Sequence, residues 1–178
     1  MKTLVIMAVL AAAAFGGLTE FGPQIGYWFP SGDAGDVYSG SFYFGGQVLS
    51  HMAVVAIEGS IGYVPLKLDD DYEDALEASA GGDIDFSGHI IPITAGVRSY
   101  SGKIYAAGGL ELDIASAEIE FPDGTDADDS DSEIGGYIGA GIITPLVGTG
   151  DIDISAKLHL MDFDTDEMWI GIQGGINF

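Results

Sequence analysis

The chain has 178 residues and a formal net charge of −23, with 28 Asp and Glu against 5 Lys and Arg. Such a charge argues against nucleic acid as a partner, because phosphate binding needs a basic surface. The chain contains no cysteine, which excludes disulfides, thiolate metal sites and a cysteine nucleophile. Hydrophobic residues still make up 47% of the chain, so charged and apolar side chains must be segregated in a folded domain.

The first residues have the layout of a secretory signal peptide. Lys2 precedes an apolar run from Leu4 to Phe15, and the small residues Gly16 and Gly17 follow. The run is too short for a membrane-spanning helix, which needs about 20 residues. We therefore predict a signal peptide over residues 1–16 and a single domain over residues 17–178.

Eight later segments alternate apolar residues with small or polar ones, a period of two that is typical of β-strands. Each has about 9 to 11 residues, the length that crosses a membrane when tilted. In the fourth segment Ile90 and Ile91 break the alternation, and a β-bulge is expected there. The segments are Phe21–Phe29, Ser41–Leu49, Val55–Pro65, Phe86–Val97, Ile104–Ile114, Ile134–Ile142, Asp151–Leu160 and Met168–Phe178.

The connections between these segments alternate in length. Three are tight, namely Ser50–Met52, Ser99–Gly102 and Val147–Gly150. The others are mostly longer and acidic, namely Ser31–Gly40, Lys67–Asp83, Glu120–Ser132 and Asp162–Glu167. Outer-membrane barrels have the same asymmetry, with the long loops outside the cell. The predicted fold is all-β, an eight-stranded antiparallel up-and-down transmembrane β-barrel.

Alternation also fits a soluble calyx with an apolar interior, and Gly26-Tyr27-Trp28 matches a lipocalin-like Gly-x-Trp. The less apolar face decides between them, because it is rich in Gly, Ser and Ala with scattered charges, which suits a narrow filled lumen. Aromatic residues support a membrane position by clustering at two levels. The outer group is Tyr27, Phe29, Phe42, Tyr63, Phe121 and Phe163, and the inner group is Phe21, Tyr100, Tyr105 and Phe178.

Three segments resemble the bacterial outer-membrane barrels typified by the OmpA transmembrane domain and OmpX-like proteins: Gly26–Asp33, Ile91–Arg98 and the terminal Gly174–Phe178. The resemblance implies an integral position in the outer membrane, with outer-membrane lipids and lipopolysaccharide as surroundings. It also implies that Phe178, which ends the last strand, is part of the signal read by the barrel-assembly machinery.

The predicted inward face carries a set of ionisable residues. Charges in a filled lumen should be paired, so we expect Lys157 to pair with Glu58 or Glu111, and Arg98 with Asp153. The resemblance implies that such a network plugs the barrel, and a narrow gated ion channel is the alternative. The candidate lumen residues are Glu58, Arg98, Glu111, Asp113, Asp151, Asp153, Lys157 and His159.

The acidic loops and the three histidines are the remaining candidates for chemistry. Asp126, Asp128, Asp129 and Asp131 are oxygen ligands that could hold a divalent cation weakly, although their spacing differs from that of an EF-hand. A lipid-modifying enzyme would need an accessible histidine, and His51, His89 and His159 are poorly placed for one. We therefore expect a structural or surface-interaction protein with no cofactor and no catalytic activity.

Overall fold

The computed structural model describes residues 18–146, 150–165 and 167–178. The predicted signal peptide, and Val147 to Thr149 of one predicted tight turn, lie outside these ranges. In the described part, eight antiparallel strands close into a barrel in which each strand pairs with its neighbour in sequence and the last pairs with the first. This confirms the predicted fold. The strands are β1 (Leu18–Gly32), β2 (Ser41–Met52), β3 (Val55–Leu66), β4 (Asp85–Ser101), β5 (Ile104–Glu120), β6 (Asp126–Pro145), β7 (Asp151–Leu160) and β8 (Glu167–Asn177).

β5 and β6 extend well beyond the predicted segments. Their register runs without interruption from Ile104 opposite Ile142 to Glu120 opposite Asp126. The expectation of a long acidic loop over Glu120–Ser132 was therefore wrong, because most of that stretch continues β6 and only a short turn joins the two strands. In that turn the amide and hydroxyl of Thr125 donate to the Asp123 carboxylate at 2.9 and 2.5 Å, which lowers the pKa of Asp123.

The expected β-bulge at Ile90 is absent from β4. The register against β3 is the same on both sides of this point, since Ile61 faces Ile93 and Val64 faces Ile90. The register against β5 is continuous as well. Ile90 breaks the apolar alternation because it points into the lumen, where it is 3% exposed. An apolar layer at the outer end of the lumen, and not a bulge, explains the sequence pattern.

Two of the long connections contain helices, which the strand periodicity did not predict. α1 (Asp33–Val37) follows β1, and α2 (Asp70–Ala80) lies between β3 and β4. The Asp69 side chain accepts a hydrogen bond from the amide of Asp71 at the start of α2, and Gly81 ends the helix at a φ of 78°. None of the described helices is long and apolar enough to span a membrane.

Aromatic side chains fill much of the lumen. Trp28, Tyr43 and Trp169 form an apolar cluster near the outer end, together with Val64, Ile90 and Met161. Glycine makes room for these rings: a Cβ at Gly62 would lie 2.1 Å from Cε2 of Tyr43. Tyr105 was expected at the membrane interface near the inner ends of the strands. Instead it is 1% exposed inside the barrel, where its hydroxyl donates a hydrogen bond to the buried carboxylate of Asp153.

Candidate functional site

A buried hydrogen-bonded network crosses the lumen, with Arg98 of β4 at its centre. The guanidinium is fully buried and forms ion pairs with Glu58 of β3 and Asp153 of β7. Its Nη2 donates to Oε1 of Gln47 on β2 at 2.6 Å. A guanidinium offers five donors in a planar fork, so one side chain can join three strands. Arg98 and Asp153 are thus brought together as the pairing hypothesis proposed.

Lys157 supplies the second cation of the network. Its Nζ lies 3.3 Å from Oε1 of Glu58 and 4.7 Å from the centre of the Tyr137 ring. The hydroxyl of Tyr137 donates to the same carboxylate. Of the two partners that the sequence left open for Lys157, the structure selects Glu58. Two cations therefore face the two carboxylates of Glu58 and Asp153, which balances the charge of this layer.

Neutral polar side chains extend the network to the remaining strands. The hydroxyl of Tyr105 donates to Asp153 at 2.6 Å, and the arginine lies 4.3 Å above the same ring. Nε2 of Gln47 donates to Oδ1 of Asn177 at 2.7 Å, and Gln24 donates to Gln47 at 2.8 Å. Every strand contributes to this connected set, whose members are Gln24, Tyr43, Gln47, Glu58, Arg98, Tyr105, Tyr137, Asp153, Lys157 and Asn177.

A second group of ionisable residues lies closer to the outer end. Nδ1 of His159 is 2.6 Å from Oε2 of Glu111, and its ring is 4.1 Å from the ring of Trp28. Asp113 is 3% exposed, and no basic, amide or hydroxyl group among the described residues donates to its carboxylate, which leaves the adjacent carboxyl of Glu111 as the group with which it can share a proton. The lumen candidates therefore divide into a paired central network and an outer group that is rich in acid. Asp151 lies half-buried at the start of β7.

The other candidates from the sequence do not form one site. Asp126 and Asp128 share one face of β6, and Asp129 and Asp131 share the opposite face, because successive side chains alternate along a strand. No set of three His, Cys, Asp or Glu side chains in the described ranges is arranged to hold a metal ion. His51 contacts Glu20 at 3.3 Å, whereas His89 stacks on Tyr63.

One tyrosine at the outer end of the barrel is affected by both burial and nearby acidic groups. Tyr38, which follows α1, has a raised pKa because it is partly buried and because Tyr72, Glu167 and Asp129 lie near it. Tyr38 also stands 6.2 Å from the ring of Trp169, so an aromatic side chain from the first connection covers part of the barrel mouth.

Comparisons with known proteins place the fold in one structural class. No protein-family model and no curated protein sequence matches the chain. Among solved structures, Neisserial surface protein A is 12% identical, with 89% of this chain and 95% of that one covered and a TM-score of 0.58. Ail, the attachment invasion locus protein of Yersinia pestis, is 17% identical, with 89% and 96% covered and a TM-score of 0.56.

A major outer membrane protein from Thermus thermophilus gives a similar result, at 12% identity, 90% and 98% coverage and a TM-score of 0.59. These likenesses extend over nearly the whole of each matched chain. At such low identities they show the fold alone. The chain has the fold of the eight-stranded β-barrels of bacterial outer membranes.

Proposed function

We propose that this chain is an integral outer-membrane protein with a structural or surface-interaction role and a lumen closed by its own side chains. One observation carries the proposal: apolar side chains cover the outside of the barrel and charged side chains are buried inside it, which is the reverse of a water-soluble protein. Leu110, Ile134 and Ile25 are 60%, 61% and 66% exposed on the outer surface, whereas Arg98 is fully buried in the lumen. A bilayer solvates such an apolar exterior, while water would not.

Exposed aromatic residues support the same orientation. Phe42 and Tyr63 lie near the outer ends of β2 and β3, whereas Phe21 and Phe178 lie at the opposite end of the barrel, and all four are exposed. Aromatic side chains favour the two interfaces of a membrane. Exposed aliphatic side chains lie between the two groups, and we call them the aliphatic belt; they include Ile25, Leu110 and Ile134. This belt supports a membrane-embedded section, with the long connections on the cell exterior.

The central network supports a closed barrel over a transport route. Glu58, Arg98, Asp153 and Lys157 are each at most 3% exposed, and aromatic rings occupy the lumen above and beside them. An ion would have to separate these pairs and displace the rings to pass. Since a buried charge left without its partner is strongly unfavourable, resting conduction is disfavoured. The exposed acids of the outer end are left as the surface available for interaction.

Cell fractionation combined with gel mobility tests the proposal. The full chain, expressed with its first 16 residues, should be recovered in the outer-membrane fraction after an alkaline carbonate wash. Without heating, the folded barrel should migrate faster on a gel than the heated chain. A matched variant, Leu110→Arg, should reduce membrane recovery, whereas Asp128→Arg at the outer end should not. Recovery of the wild type as a soluble periplasmic protein would contradict the proposal.

A further inference from the structure

An acidic cavity of about 320 Å³ opens at the outer end of the barrel, and we call it the outer-mouth cavity. It lies between α1, the outer ends of β3 to β6 and the start of β8. Carboxylates from several of these elements line it, and no Lys, Arg or His among the described residues does. The acids are Asp33, Asp113, Asp131, Glu133 and Glu167.

The deepest of these acids, Asp113, has no cation beside it among the described residues. Asp113 is 3% exposed, and no basic, amide or hydroxyl group among the described residues donates a hydrogen bond to either oxygen. The neighbouring ionisable groups are themselves acids: the carboxyl of Glu111, with which Asp113 can form a side-chain hydrogen bond when one of the two is protonated, and the carboxyl of Glu133. Adjacent buried acids are stable only if they share a proton or if a cation compensates them. Both cations of the lumen are engaged elsewhere, since Arg98 and Lys157 pair with Glu58 and Asp153.

The remaining wall of the cavity is apolar and partly aromatic. Ile90, Met161 and Trp169 are at most 8% exposed, and Tyr38 and Leu66 complete this side. A hydrated metal ion gains nothing from such a wall, and Mg²⁺ and Ca²⁺ require several converging oxygen ligands. An ammonium group attached to an apolar body fits both halves, because its charge can meet carboxylates while its body contacts aliphatic and aromatic side chains.

From this arrangement we infer that the outer-mouth cavity is a binding site for a small organic ammonium ion, with Asp113 as the buried counter-ion and Trp169 as part of the apolar wall. The acids at the rim attract the cation from solvent, and the ammonium takes the place of any proton that Asp113 shares with Glu111. This site is separate from the central network. It requires only the folded barrel, so its test does not depend on the role proposed above.

Calorimetric titration of the folded barrel in a neutral detergent tests the inference. The probe is phenethylammonium, and the control ligands are 2-phenylethanol, which is nearly the same shape without the charge, and Mg²⁺, which has charge without an apolar body. We expect saturable binding of phenethylammonium, with at least tenfold weaker binding of both controls. Fluorescence of Trp169, in a Trp28→Phe background, should change with the same concentration dependence.

Variants connect the binding to the named residues. Asp113→Asn keeps the shape of the side chain and should weaken binding about ten- to a hundredfold, the range expected for loss of one charged hydrogen bond. Asp128→Asn removes the same charge outside the cavity and should change binding less than about twofold. Ala115→Leu fills part of the cavity without altering charge and should also weaken binding, which keeps the test valid if the asparagine variant does not fold.

Three results would each overturn the inference. The first is the absence of saturable phenethylammonium binding to the folded wild type at millimolar concentrations. The second is equal affinity for the neutral alcohol, which would leave no role for the carboxylates. The third is unchanged affinity in a folded Asp113→Asn variant together with a folded Ala115→Leu variant, which would place the ligand elsewhere.

Discussion

Replacement of Arg98 by methionine should be among the most damaging single changes in this barrel. Glu58 would keep Lys157 and the hydroxyl of Tyr137, but Asp153 would keep only neutral donors. Arg98→Met thus leaves a buried carboxylate without a cation. Removing one partner of a buried pair costs about 3–5 kcal/mol, a large share of a total stability of about 5–15 kcal/mol.

Urea unfolding of the barrel in lipid vesicles can measure this loss, because Trp28 and Trp169 are the two tryptophans and both are buried in the lumen. The double variant Arg98→Met with Asp153→Asn removes the charge of both partners. It should be more stable than the sum of the two single changes predicts, by roughly 1–3 kcal/mol. Strict additivity of the two substitutions would refute the direct coupling of these side chains.

Three further experiments test the packing at a lumen glycine, the role of Phe178 in assembly and the closure of the lumen. Gly62→Ala should destabilise the barrel by roughly 1–3 kcal/mol, because the added Cβ would overlap the buried ring of Tyr43. Gly46→Ala is the control: its Cβ would come no closer than 3.6 Å to another atom, the carbonyl oxygen of Gly22, so the variant should be nearly neutral in the same unfolding assay. Deletion of Phe178 should reduce the heat-modifiable fraction in outer membranes, and unchanged assembly would remove its role as a signal. Planar-bilayer recording should find no steady conductance in the wild type. Lys157→Ala should not conduct either, because the aromatic side chains still fill its lumen. Ohmic current through the wild type would show an open path.

The strand pattern could be predicted because alternation is a local property of the sequence, and a closed barrel gives every strand one inner and one outer face. The outer half of β6 escaped prediction for a physical reason. Asp126 to Ser132 has weak intrinsic strand propensity, and only continued pairing with β5 keeps it extended. The start of α2 did carry a recognisable signal, an Asp69 cap followed by acidic residues, which was hidden by the general acidity of the chain.

Parity along the strands was enough to place Arg98, Asp153 and Lys157 inside the barrel, and the need of buried charges for partners suggested which of them pair. The amides of Gln24, Gln47 and Asn177 were overlooked because they carry no charge, although they occupy inward positions. The outer-mouth cavity could not be predicted at all, since it depends on how α1 folds over the barrel end and therefore on tertiary packing.

Contact between the aliphatic belt and lipid can be measured directly, because the chain contains no cysteine. A fluorophore attached to Leu110→Cys, six residues beyond the start of β5, should be quenched by lipids brominated near the bilayer centre and shielded from aqueous iodide. The same label on Asp128→Cys should show the opposite pattern. Iodide quenching of the Leu110→Cys label as strong as that at position 128 would contradict a membrane-embedded barrel.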